Sequence, residues 1–144
     1  MLKMTADKRY IDYNTECAYA YRIASHNETL MESRVRFLKL MEKAGAEISY
    51  IYYSAAHDMW EDWDTKDFRG IRELESDENY MLRWSGVESG DWSAEGKYQD
   101  IKLRVFFSNN HAEIRINKQV ANQTAELVCR MEPLYFQDYP QNAK

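Results

Sequence analysis

A single α+β domain is what the sequence predicts: one long capped helix over about 26–44, packed on a mainly antiparallel sheet, with a C-terminal three-strand meander. Three observations carry the prediction. Ser25-His26-Asn27-Glu28 has the S-x-x-E form of a capping box and is followed by Leu30, Met31, Val35, Leu38, Met41 and Ala44 at helical spacing. Glu47 to Ser54 is a run of β-branched and aromatic residues with little helix preference. From Ile101 to Ile116, apolar and polar residues alternate on either side of Ser108-Asn109-Asn110-His111, the pattern of an antiparallel hairpin.

Taken in order, residues 1–9 are polar and expected to be loose, as are 140–144. Cys17 to Ala24 is read as a strand because Tyr19, Tyr21 and Ile23 alternate, although three alanines and a capping Asn14 also suit a helix. The helix that follows keeps Glu28 and Glu32 early and Lys39 and Lys43 late, as its dipole favours, and Gly45 can take the left-handed conformation that ends it. Beyond the 47–54 strand, Phe68, Ile71 and Leu74 suggest a helix from about Thr65 to Leu74. Ser76 to Asn79 reads as a turn, Tyr80 to Trp84 as a short strand, and Ser85 to Lys97, with three glycines, as a long loop carrying Trp92. After the 101–116 hairpin, Ala125, Leu127, Cys129 and Met131 alternate as a third strand would, and Pro133 is read as its end.

With 144 residues, 44% hydrophobic and 14% aromatic, the chain can build one sizeable core, and 1–144 is read as one domain. The mean hydropathy of −0.74 reflects 30% charged residues rather than a shortage of large apolar side chains. No run reaches the roughly 18–20 apolar residues of a membrane span, and the first residues lack a signal-peptide core, so a cytoplasmic protein without a membrane partner is expected. Cys17 and Cys129 allow one disulfide but no framework, and both are read as small buried thiols.

The negative charge is local. Residues 57–100 hold 13 Asp and Glu against 5 Lys and Arg, while the flanking segments are slightly positive, and the same stretch contains Trp60, Trp63, Trp84 and Trp92. Carboxylates at this density cannot all be buried, because an unpaired buried charge costs several kcal/mol. Trp84 is assigned to the core. Asp58, Trp60, Glu61, Asp62, Trp63, Asp64, Asp67 and Trp92 are the candidate contact residues, since indole faces attract guanidinium and ammonium groups and carboxylates beside them add charge-assisted hydrogen bonds.

Other chemistries have less support. His57, Asp58 and Glu61 are the nearest approach to a metal cluster, but no second histidine sits at ligand spacing, and no metal site is assigned. Ser, His and acid are present without Gly-x-Ser-x-Gly, and the five glycines make no phosphate-cradling loop. Neither catalytic residues nor a cofactor is assigned. A pI near 5.3 argues against direct nucleic-acid binding.

These features suit a small acidic inhibitor or neutraliser whose partner is a basic nucleic-acid-processing protein. At the level of class alone, such a domain resembles the immunity proteins and anti-defence inhibitors of bacteria and their mobile elements. The alternatives are a module stacking a sugar or nucleotide on Trp60, Trp63 and Trp92, and a small hydrolase using His57 with nearby carboxylates. Self-association through an exposed edge of the C-terminal meander is a further expectation.

Overall fold

Where strand alternation is strict, the backbone follows it. The computed structural model describes residues 8–23, 30–56, 63–77, 91–108 and 111–138. Its strands are β1 (Lys8–Asp12), β2 (Glu16–Arg22), β3 (Ala46–Ala56), β4 (Trp63–Phe68), β5 (Asp91–Tyr98), β6 (Ile101–Ser108) and β7 (His111–Asn117). They form one sheet of order β1-β2-β7-β6-β5-β3-β4 in which every neighbouring pair is antiparallel. The helices are α1 (Leu30–Lys43), the short α2 (Ile71–Glu75) and α3 (Ala121–Asp138). This is the predicted α+β fold. None of the described helices is long and apolar enough to cross a membrane.

One face of the sheet is the core. Tyr19, Ile114, Val105, Ala94, Ile51 and Phe68 are successive register partners across six strands, and the parallel row Tyr21, Ala112, Phe107, Trp92 and Tyr53 lies beside it. All but the partly buried Tyr19 are buried. Against them pack Val35, Phe37, Leu38, Leu40 and Met41 of α1, Ile71 and Leu74 of α2, and Leu127, Met131 and Tyr135 of α3. Each such side chain contributes about 1.5–3 kcal/mol through burial. Helix α1 buries a wider stripe than its 3.6-residue pattern implies because α2 and α3 flank it; of Glu32, Arg36, Lys39 and Lys43, all expected toward water, Arg36 is half-buried and the other three are exposed.

The predicted strand 17–24, helix, glycine and strand 47–54 are all present, with Gly45 at φ 114° ending α1. Strands β2 and β3 point the same way, but β7, β6 and β5 lie between them, so α1 crosses much of the sheet's width. The capping box Ser25–Glu28, Glu78-Asn79 and the predicted strand Tyr80–Trp84 lie outside the described residues.

Three readings are corrected. The helix expected over 65–74 is instead strand β4 followed by α2; Phe68, Ile71 and Leu74 are all buried, but Gly70 at φ 122° separates the two elements. The loop expected to carry Trp92 is, over 91–98, strand β5. The third strand expected over 125–131 is part of α3, whose buried residues Thr124, Leu127, Val128, Met131 and Tyr135 recur at helical spacing, with Pro133 inside the helix and exposed. The meander is therefore β5-β6-β7, in mid-sheet, and the edges among the described strands are β1 and β4. Of the two free thiols, Cys17 is buried as expected and Cys129 is exposed.

Gly96 is needed for close approach. The β3–β5 register shifts between Ile48 and Tyr50, and a Cβ on Gly96 would lie 2.1 Å from the Glu47 carbonyl oxygen. Gly96→Ala is expected to cost on the order of 3 kcal/mol, against about 1–2 kcal/mol for Gly45→Ala, whose cost is mainly backbone conformation. Urea denaturation of the two variants measures both, and a Gly96→Ala protein as stable as the parent would contradict this packing.

Tyr21 is fully buried between Phe37 and Tyr135, at ring distances of 5.3 and 5.2 Å, and its hydroxyl has no hydrogen-bond partner among the described residues. Leaving a buried hydroxyl unpaired costs about 1–3 kcal/mol, so Tyr21→Phe should stabilise the protein or leave it unchanged in thermal melts. Burial holds the Tyr21 hydroxyl well above the ordinary 10.0 and also raises Tyr19. Below pH 10 these groups are neutral in both states. Above it the unfolded chain loses protons first, so their contribution falls as pH rises through the folded values. Arg34, which burial pushes down to about 10, acts oppositely above that pH, but the raised tyrosines outnumber it. A phenolate absorbance titration should therefore show a late group of tyrosines ionising together with loss of structure.

Candidate functional site

Because α1, α2 and α3 cover one face of the sheet, the alternate residues of each strand form a second, polar face. Its register places them in rows. One row is Ala20, Glu113, Phe106, Ser93, Tyr52 and Asp67; the next is Ile11, Ala18, Arg115, Arg104, Glu95 and Tyr50; a third brings Lys102, Lys97 and Glu47 together.

The middle of this face is ordered by one stacked cation. The Arg115 guanidinium lies 4.7 Å from the Tyr13 ring centroid and 4.5 Å from that of Phe106. Its Nε donates to Glu113 Oε1 at 2.6 Å, and the Tyr13 hydroxyl donates to the same carboxylate at 3.1 and 3.2 Å. Burial alone would lower the Arg115 pKa, but the Glu113 hydrogen bond and charge outweigh it and the net shift is upward. Tyr13 reaches Glu113 from the β1–β2 turn, past Ala18 and Ala20, and these two alanines are buried although no helix covers them. Small β2 residues give Tyr13 and Arg115 room to lie across the strand. Beside them Arg104 stacks on Phe106 at 5.1 Å and pairs with Glu16 at 2.6 Å.

Two grooves flank Arg115. The larger, about 410 Å³, lies over β5, β6 and β7 and is lined by Lys97, Lys102, Arg104, Arg115, Glu16 and Glu95, among others. The smaller, about 350 Å³, includes Ser108, His111 and Glu113, which are the residue types of a nucleophilic triad. Glu113 accepts hydrogen bonds from Tyr13 and Arg115.

The acidic stretch leads into the sheet's far edge. Asp58, Trp60, Glu61 and Asp62, and with them His57, lie outside the described residues. Trp63 and Asp64 open β4, in register with Ala56 and Ala55. Asp67 is exposed on β4 beside Tyr52, and its hydrogen bond to Tyr50 is the main cause of the raised Tyr50 pKa. Strand β4 pairs with β3 alone among the described strands.

Trp92 is placed differently from the expectation. It is 2% exposed, 5.2 Å from Tyr53 and 5.4 Å from Phe107, because position 92 of β5 faces the helices. In this position its indole is a core group and not a stacking surface. Arg34 of α1, also 2% exposed, lies 5.6 Å from Trp92 and 5.7 Å from Phe107. Burial pushes its pKa down to about 10, so it remains charged at neutral pH.

The alternation of Lys102, Arg104 and Phe106 on one side of a strand was readable in the sequence. Their meeting with Arg115 follows from the register of the predicted β6–β7 hairpin, whereas their meeting with Tyr13 depends on the β1–β2 turn, which carries no local signal. No group of three potential metal ligands occurs among the described residues. Nothing matches the chain among protein-family models, curated proteins or solved structures.

Proposed function

We propose that the protein is a non-enzymatic inhibitor or neutraliser that engages a basic nucleic-acid-processing protein through the acidic edge of its sheet. The observation that carries this reading is the position of β4, which among the described strands is terminal and paired on one side, with Asp67 exposed, and which follows the acidic segment from Asp58 in sequence. An edge strand offers unpaired backbone donors and acceptors, and carboxylates beside them favour a cationic segment over a neutral one. The net charge of −5, concentrated in 57–100, would steer a basic partner to this edge at low ionic strength.

The test is affinity capture from the native host at two salt concentrations, using the parent and a Glu61→Lys, Asp62→Lys, Asp64→Lys variant. The expected result is a basic protein recovered at low salt, released at high salt and lost with the variant at an unchanged melting temperature. Adding the parent protein should also suppress the partner's activity on nucleic acid. Recovery that survives the triple reversal would sink the proposal.

A further inference from the structure

Beyond a protein partner at the β4 edge, we infer that the larger groove on the open sheet face binds a compact sugar phosphate. The first reason is an arrangement that composition does not predict. The chain has 19 Lys and Arg against 24 Asp and Glu, yet two like-charged pairs sit directly opposite each other across neighbouring ladders: Lys97 with Lys102, and Arg104 with Arg115. Like charges in that relation destabilise a sheet, and a shared anion relieves the repulsion.

These cations are only partly neutralised by the protein. Glu16 holds Arg104 and Glu113 holds the Nε of Arg115. The Arg115 Nη groups make no hydrogen bond with the described residues, Lys102 makes no ion pair among them, and Lys97 approaches Glu47 only to 4.0 Å. The planar stack between Tyr13 and Phe106 fixes the Arg115 fork before a ligand arrives, so little side-chain freedom is lost on binding an oxyanion.

The rest of the lining points to the organic part. A volume of about 410 Å³ is within the range of small-molecule sites. No aromatic side chain among the described residues lines the groove, which disfavours a nucleobase, whereas Ser49, Asn117 and the carboxylates of Glu16 and Glu95 suit hydroxyl groups. Glu95 on β5 and Glu16 on β2 flank Arg104 and Arg115, so hydroxyl acceptors adjoin the cations, an arrangement that suits a phosphorylated sugar.

Calorimetric titration of the full chain with glucose 6-phosphate, inorganic phosphate and glucose tests the assignment. Glucose 6-phosphate is expected to bind saturably, more tightly than inorganic phosphate, with no detectable binding of glucose. Lys102 is exposed, so Lys102→Ala should keep the parent's melting temperature and weaken glucose 6-phosphate roughly tenfold, as loss of one charge-assisted contact does. Glu95→Gln should weaken glucose 6-phosphate but not phosphate, and Lys39→Ala, on α1, should change neither. Absence of glucose 6-phosphate binding, or equal affinity in the parent and Lys102→Ala, would overturn the assignment; equal affinity for phosphate and the sugar phosphate would overturn its sugar part. None of these variants touches β4, so the outcome is independent of the protein-partner reading.

Discussion

Alternation along seven antiparallel strands divides this molecule into a dry face and a wet one, and most of its other properties follow. On the dry side, Tyr21, Ala112, Phe107, Trp92 and Tyr53 continue one another across five strands, so a change in any one is felt by partners on two ladders. A one-residue slip would exchange such a row for Glu113, Phe106 and Ser93 and bury charge against α1. The register shift in β3 is tolerated because Gly96 lets the Glu47 carbonyl approach, which keeps Ile48 and Ile51 on the buried side across the irregularity.

The wet face has less apolar area with which to define itself, and polar side chains take over that role. Tyr13 is held by Glu113, which is also the partner of Arg115, while Ala18 and Ala20 of the intervening β2 are buried. An exposed ion pair by itself contributes about 0–1 kcal/mol. Here the same carboxylate ties β7 to the β1–β2 turn, and cation–π contacts, one of which reaches Phe106 on β6, add about 0.5–1 kcal/mol each at such partly exposed positions. The network's effect is geometric: it fixes a guanidinium in the centre of a solvent-facing sheet.

Elements whose burial period is unambiguous were legible in the sequence. Strand β3, helix α1 and the β6–β7 hairpin each satisfy one period and not the other. Helix α3 satisfies both, since Ala125, Leu127, Cys129 and Met131 alternate while Leu127, Val128, Met131 and Tyr135 follow the helical repeat, and only the second set matches the buried residues. Good helix formers such as Gln123, Glu126 and Arg130 on its wet side were the available discriminator. Strand β5 was hidden by Gly96, because a glycine that permits close backbone approach looks locally like one that permits a loop. Trp92 was misread for the same reason: once 91–98 is a strand, period two sends its indole to the core. For the candidate sites, the acidic stretch was visible as composition, whereas the Lys97, Lys102, Arg104 and Arg115 cluster exists only through two cross-strand registers.

The two charged regions of this protein can act separately. Strands β6 and β4 are three inter-strand spacings apart, about 14 Å at roughly 4.8 Å per spacing. The Debye length at physiological ionic strength is about 8 Å. An anion held over β6 therefore does little to the field that a partner meets at β4, and a partner at β4 leaves the cations over β6 largely unscreened by its own charge. At low ionic strength, where the Debye length is about 30 Å, the fields overlap and the acidic majority governs the whole surface. A chain of net charge −5 can thus present a local positive site to a small anion under cellular salt.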